Sequence, residues 1–260
     1  MPTGLSSLAN LKYGDIFAER FSMKVRLFID VNLASGEIIE LRKDHKHYVQ
    51  NVLRCRSGRE IFVFNPNDGE YKAIFKGEGQ IEIVEQTIEP IRENGLSLIF
   101  APIKFGKIDY MVQKATELGV TRIQPVQTRF TAITRINYDR LSANAIEAAE
   151  QTGRINFPHI DEIMSLEKLI ESWDKKQKII FCDESKTGKP IKQVLESMPK
   201  TAKDFAILIG PEGGFAKDEA EYLRGKKFVH PASMGKRLLR AETAAIAALG
   251  VFQAIKGDWN

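Results

Sequence analysis

The chain has 260 residues, of which 43% are hydrophobic, with a formal net charge of +4. That length suits one large domain or two modest ones, and no stretch approaches the ~20 apolar residues of a bilayer span, which excludes a helical membrane protein. Two cysteines, Cys55 and Cys182, are too few for a disulfide framework and point to a reducing cytoplasm. The four histidines are scattered and form no Cys/His cluster at zinc spacing, so no metal is expected.

Residues 1–22 read as a peripheral, flexible extension without the apolar core of a signal peptide. Residues 23–92 read as a small β-rich unit. Strands are expected at Lys24–Val31, Ile61–Phe64, Glu70–Phe75 and Gln80–Thr87, with Asn65-Pro66-Asn67-Asp68-Gly69 as a turn and a helical stretch over 44–54. Its 11 basic and 11 acidic residues cancel, as do the two of each sign in 1–22, so the charge excess lies further on. Residues 88–95, with Pro90, form the expected linker.

From Leu96 strands and helices alternate. Leu96–Ala101 is a buried-strand pattern. Ile108, Met111, Val112, Ala115 and Leu118 then share a helical face that ends at Gly119. Thr121–Val126 follows as a strand. Leu141, Ala145, Ala148, Ala149 and Thr152 mark a helix closed by Gly153. Lys178–Cys182 and Phe205–Ile209 are strands, and Ala241–Ile255 is an alanine-rich helix. This alternation predicts an α/β domain over 93–260 with a parallel sheet covered on both faces. Between Glu221 and Glu242 lie Arg224, Lys226, Lys227, Lys236, Arg237 and Arg240 with no acid among them. Such a run suits a polyanion, and on charge alone it equally suits a solvated face.

Two glycine-containing segments carry the chemistry. Leu208-Ile209-Gly210-Pro211-Glu212-Gly213-Gly214-Phe215 leaves a strand directly, where open α/β sheets bind ligands. It lacks both the phosphate-loop lysine and the dinucleotide glycine pattern. On spacing alone it fits a tight turn as well as a ligand loop. Ser233-Met234-Gly235-Lys236-Arg237-Leu238-Leu239-Arg240-Ala241-Glu242-Thr243 precedes the last helix. Met234, Leu238 and Leu239 could wall a slot for an adenine ring. Thr243 is open to two readings, as a cofactor contact or as a plain N-cap.

Together these segments resemble the RsmE family of SPOUT methyltransferases. Gln113-Lys114-Ala115-Thr116-Glu117-Leu118-Gly119-Val120, Glu147-Ala148-Ala149-Glu150-Gln151-Thr152-Gly153-Arg154, and His47 with Val52-Leu53-Arg54 and Gly58 add to the resemblance, which runs from Met23 to the C-terminus. It implies a PUA-like β-barrel that binds RNA, followed by an α/β fold with a C-terminal trefoil knot that holds S-adenosyl-L-methionine. It also implies a homodimer, and methylation of ring nitrogen 3 of one uridine in 16S ribosomal RNA, free or within the 30S subunit. The rivals are a SPOUT methyltransferase with another RNA target and a non-catalytic RNA-binding relative.

On this reading Leu208, Gly210, Pro211, Glu212, Gly213, Met234, Gly235, Leu238, Leu239 and Thr243 hold the cofactor. Arg240 and Arg154 would stabilise charge on the uracil oxygens, because arginine stays cationic and its fork reaches two acceptors. Glu242 or Glu212 would take the proton, and Gln151 would read a uracil edge. Arg26 matches a family arginine and is expected, with Lys236 and Arg237, to contact RNA. Cys182, Asp183 and Glu184 are candidates for a third cofactor loop. Neither cysteine has an activating neighbour in sequence, which argues against a thiolate route.

Overall fold

The computed structural model describes residues 25–93, 95–104, 106–133, 135–185, 188–199 and 204–259. The extension expected at 1–22 lies outside them. The chain divides into two compact units, with the division falling between Pro90 and Ile91.

In the first unit β1 (Arg26–Phe28) and β2 (Ile38–Glu40) precede α1 (Lys43–His47), which continues into a π-helical turn, Tyr48–Val52. β3 (Glu60–Asn65), β4 (Gly69–Gly77) and β5 (Gln80–Ile88) follow. The five strands pair in the order β1-β3-β4-β5-β2. β1 runs parallel to β3, and the other pairs are antiparallel. Alternation sets the core: Ile61, Val63, Ala73, Phe75, Ile81 and Ile83 point to one side and are buried with Leu27 and Val49. The β3–β4 turn forms because the Asn65 side chain accepts from the backbone nitrogens of Asn67 and Asp68, at 2.9 and 2.7 Å. Register shifts between β4 and β5 bend the sheet.

Arg26, expected from the resemblance to contact RNA, is engaged within its own unit. Its Nε donates to Glu70 at 2.7 Å, and both side chains are only 9% exposed. The guanidinium also lies 4.3 Å from the centre of the Phe64 ring. A second donor, the Thr87 hydroxyl, reaches Glu70 at 2.9 Å. Arg26 is therefore part of a buried ion pair inside the unit.

The second unit contains β6 (Leu96–Phe100), α2 (Lys107–Glu117), β7 (Arg122–Gln127), α3 (Tyr138–Thr152), β8 (His159–Ile160), β9 (Met164–Ser165) and α4 (Leu166–Ser172). It continues through β10 (Lys178–Cys182), β11 (Lys189–Pro190), α5 (Ile191–Ser197), β12 (Phe205–Ile209), α6 (Lys217–Arg224), β13 (Val229–Ser233) and α7 (Ala241–Ile255). The sheet order is β11-β13-β10-β12-β6-β7-β8, and every pairing in it is parallel. Both faces are covered, as period-two alternation on β12 shows: Phe205, Ile207 and Ile209 join one core cluster, while Ala206 and Leu208 join the other. α2, α3, α5 and α7 pack on the first face, and α4 and α6 on the second. β13 has no counterpart among the strands expected from sequence. Its central Pro231 lacks the N–H a ladder needs, and the strand is tolerated beside the two-residue β11 near the sheet edge.

Replacing Glu70 with alanine removes the carboxylate that accompanies the buried Arg26 charge. We expect Glu70→Ala to destabilise the first unit by about 3 kcal/mol, read as a lower denaturant midpoint in equilibrium unfolding followed by circular dichroism.

Candidate functional site

The carboxyl ends of β10, β12 and β13 lie side by side, with Phe181 opposite Leu208 and Pro231, and Cys182 opposite Ala232. The segments leaving these strands enclose a cavity of about 220 Å³. From β10 come Cys182, Asp183 and Glu184. From β12 come Ile209, Gly210, Pro211, Glu212 and Phe215. The bend after β13 and the start of α7 add Met234, Gly235, Arg237, Leu238, Leu239, Arg240, Ala241 and Ala244. The two glycine-containing segments thus share one cavity.

Each bend has a local cause. In the first, the Gly214 nitrogen donates to the Pro211 carbonyl at 2.9 Å. Gly214 has φ +70°, and a Cβ there would collide with the Glu184 carboxylate. Phe215 is fixed by an edge-to-face contact with Phe181 at 5.0 Å. A Cβ on Gly210 would come within 2.6 Å of the Phe215 ring. In the second bend, Gly235 turns at φ +94° and its nitrogen donates to the Ser233 hydroxyl at 3.3 Å. Arg240 is the N-cap of α7, and its carbonyl accepts from Ala244 at 2.8 Å.

The electrostatics are divided between buried and open groups. Asp183 is 4% exposed and accepts from Arg224 through Nε at 2.9 Å and a terminal nitrogen at 2.6 Å. It also accepts from the Ser185 nitrogen at 2.9 Å, which fixes the third loop. Arg224, the first cation of the basic run, is therefore engaged by this buried acid. Arg237 and Arg240 are exposed on the cavity side of the run, and Leu238 is 79% exposed at its mouth. Cys182 retains partial exposure toward the cavity, yet burial of its thiol pushes the pKa up to about 12. It stays a neutral thiol and a poor nucleophile.

The remaining site expectations fare differently. Leu208 is fully buried in β12 and supports the loop from beneath. Gly213 does not line the cavity; the adjacent Gly214 is the one whose positive φ of +70° favours glycine. Thr243 is exposed in the first turn of α7 and is neither its N-cap nor a lining residue. Gln151 is exposed on the last turn of α3, and Lys236 is exposed on the second bend; neither lines the cavity. Glu242 does not line the cavity; it faces Lys107 at 3.5 Å, is 13% exposed, and has one buried carboxylate oxygen with no hydrogen-bond partner.

Arg154 lies outside the cavity. Its guanidinium pairs with Glu93 and donates to the carbonyls of Thr116 and Val120, binding the chain before β6 to the end of α2 and the turn that follows it. Ile209, Phe215 and Ala241, which lie within the two quoted segments, line the cavity as well, and so does Ala244, just beyond the second. Phe215 closes the quoted motif, and Ala241 and Ala244 offer the small side chains a helix needs to border a ligand space. Among the described residues, no group of three or more His, Cys, Asp or Glu could hold a metal, and no helix is long and apolar enough to cross a membrane.

Residues 92–253 match the family described as an RNA methyltransferase domain, and residues 41–86 match an RNA methyltransferase PUA domain. Fold and site together define an RNA methyltransferase with a PUA-like unit in front. Ribosomal RNA small subunit methyltransferase E of Rickettsia conorii is 35% identical over 230 residues, covering 86% of this chain and 93% of that one. The protein of the same name from Bacillus subtilis is 26% identical over 255 residues, covering 90% and 99%. The crystal structure of ribosomal RNA small subunit methyltransferase E from Neisseria gonorrhoeae, bound to S-adenosyl methionine, superposes with a TM-score of 0.80 at 25% identity and covers 91% and 100% of the two chains. A Legionella pneumophila protein solved with the cofactor SAM gives 0.78 at 29% identity, covering 89% and 97%. The chain belongs to the ribosomal RNA small subunit methyltransferase E family.

A raised thiol pKa has a direct readout. Cys182 should resist alkylation by iodoacetamide at pH 8 in the folded protein and react once the chain is unfolded, as mapped by peptide mass spectrometry.

Proposed function

We propose that this protein transfers the methyl group of S-adenosyl-L-methionine to ring nitrogen 3 of a uridine in small-subunit ribosomal RNA. The observation that carries the reading is the single cavity formed by both glycine-containing bends. Its residues suit the cofactor. Met234, Leu238, Leu239 and Ala244 offer an apolar slot for an adenine ring, and Glu184 and Glu212 offer carboxylates to the ammonium group of the amino-acid tail. Gly210, with no side chain, leaves backbone accessible where a ligand must approach closely.

When bound, the cofactor supplies a methyl group on a cationic sulfur. The rest of the work falls to the chain. Uracil nitrogen 3 must lose its proton and take the methyl as negative charge grows on the flanking carbonyl oxygens. Arg240, exposed on the cavity wall at the N-terminus of α7, places a permanent cation beside that charge, and the helix end adds its own positive potential. Glu242, two residues further along α7 and outside the residues that line the cavity, is the carboxylate this reading assigns to take the proton, with Lys107 paired to it at 3.5 Å. Arg154 leaves the catalytic set, because its donors are spent on Glu93 and two carbonyls. Gln151, Lys236 and Arg237 remain RNA contacts in this reading. The same reading includes the C-terminal trefoil knot, a cytoplasmic homodimer with the cavity near its interface, and ribosomal RNA or the 30S subunit as partner.

Arg240→Ala should abolish methyl transfer, measured by mass mapping of small-subunit RNA, while calorimetric affinity for S-adenosylmethionine stays near wild type. Full activity in that variant would remove Arg240 from the reaction. RNA affinity should fall at least about tenfold between 50 and 200 mM salt, since phosphate contacts release counterions. A flat salt response would show that the exposed cations of the second bend do not meet RNA.

A further inference from the structure

Parallel pairing sends one more loop to the edge where the cavity lies. β7 joins the same sheet through β6, so residues 128–131 emerge beside the bend that follows β12. At the tip of this loop is Phe130, 50% exposed. Apolar side chains scattered on a surface need no explanation, but this one is unusually well held.

The loop is closed on itself: the Thr128 nitrogen donates to the Thr131 hydroxyl at 2.8 Å, and the two threonine hydroxyls lie 2.9 Å apart. It is also tied to α6. The Arg129 nitrogen donates to Glu219 at 2.8 Å, and the Arg129 guanidinium donates to Asp218 at 2.7 Å. The same Glu219 side chain accepts from the Ala216 nitrogen at 2.9 Å, so one carboxylate joins the Phe130 loop to the chain leaving the first bend. Finally, a Cβ on Gly213 would come within 3.2 Å of the Phe130 Cβ. Gly213 does not line the cavity, and this contact supplies its reason: it lets the aromatic residue sit against the back of the bend whose next residues form the wall.

We propose that Phe130 is a stacking platform for an unpaired nucleobase of the RNA substrate, beside the bend that follows β12. The inference rests on the methyltransferase reading above. A base whose ring nitrogen is to react must leave its helix, and unpaired bases are bound by proteins mainly through aromatic faces. A phenyl ring on a tied loop supplies that face with less ordering cost than one on a loose loop. The acids around it are already satisfied, Asp218 by Arg129 and Glu219 by two backbone nitrogens, which lowers their repulsion of a phosphate backbone.

The test uses the full-length protein and transcribed small-subunit ribosomal RNA. Phe130→Ala should weaken RNA binding and the single-turnover rate at subsaturating RNA about ten- to a hundredfold, the usual cost of losing one stacked base. Phe130→Tyr should stay close to wild type, and calorimetric affinity for S-adenosylmethionine should be unchanged in both. In Phe130→Trp, a uridine-rich single-stranded oligonucleotide should quench the indole fluorescence, and a blunt duplex should not. Wild-type behaviour of Phe130→Leu, which keeps an apolar side chain without a ring face, would overturn the proposal. So would a loss of cofactor affinity in Phe130→Ala as large as the loss of RNA affinity, which would make the ring a prop for the bend. If the wild-type protein transferred no methyl group to this RNA, the proposed reaction would fail, while quenching would still report on stacking because it needs no transfer.

Discussion

In a parallel sheet every strand ends at the same edge, so the segments that leave neighbouring strands are crowded together. In this chain that constraint acts on β10, β12 and β13, whose register sets Phe181 against both Leu208 and Pro231. The three segments that follow are dozens of residues apart in sequence and have no need to recognise one another. The sheet brings them together, and glycine then decides how closely they approach. Gly214 turns at φ +70°, and the Glu184 carboxylate lies in the space its missing side chain leaves, which brings the loop after β12 against the loop after β10.

Burial explains the distribution of arginines. Taking a guanidinium out of water is costly unless a carboxylate accompanies it. Arg26 with Glu70, Arg154 with Glu93, and Arg224 with Asp183 all follow this rule. They act as struts: the first braces the leading unit, the second ties the chain before β6 to the end of α2, and the third fixes the loop that carries Glu184. What remains exposed on the cavity side of the second bend is Arg237 and Arg240, with Lys236 beside them. The cationic character of the site is therefore narrower than the basic run in the sequence suggests.

Much of this was legible in the sequence. The 3.6-residue pattern of Ile108, Met111, Val112 and Ala115 located α2, alanine-rich residues 241–255 gave α7, and the two glycine-containing bends pointed to one cavity. The failures have a common physical origin in distance along the chain. Arg26 and Arg154 look available until their acids, 44 and 61 residues away, are placed beside them. Gly213 and Gly214 cannot be told apart by sequence, because only the folded turn shows that Gly214 takes the positive φ and that Gly213 lies against Phe130. β13 was obscured by Pro231, which argues against a strand wherever a full ladder is assumed. The loop holding Phe130 carried no glycine signature and gave no signal at all, since its order comes from α6.

The start of α7 violates local helix rules, and the violation is informative. A cation is disfavoured at a helix N-terminus, where the backbone already presents positive potential, and an N-cap side chain is expected to accept a hydrogen bond. Arg240 occupies that position, can accept none, and the helix begins without a side-chain cap. Glu242 in the first turn offsets part of the unfavourable field, but its nearest cation is Lys107, on another helix. α7 is held instead by its buried face, where Ala245, Ala248, Leu249 and Phe252 pack into the core and Phe252 meets Phe205 edge to face at 5.2 Å. Stability is supplied along the helix while its first residues are kept electrostatically frustrated. Positive potential from a guanidinium and from a helix end then converge on one cavity wall, where an incoming negative charge relieves both. A helix selected for stability alone would carry serine or aspartate at that position.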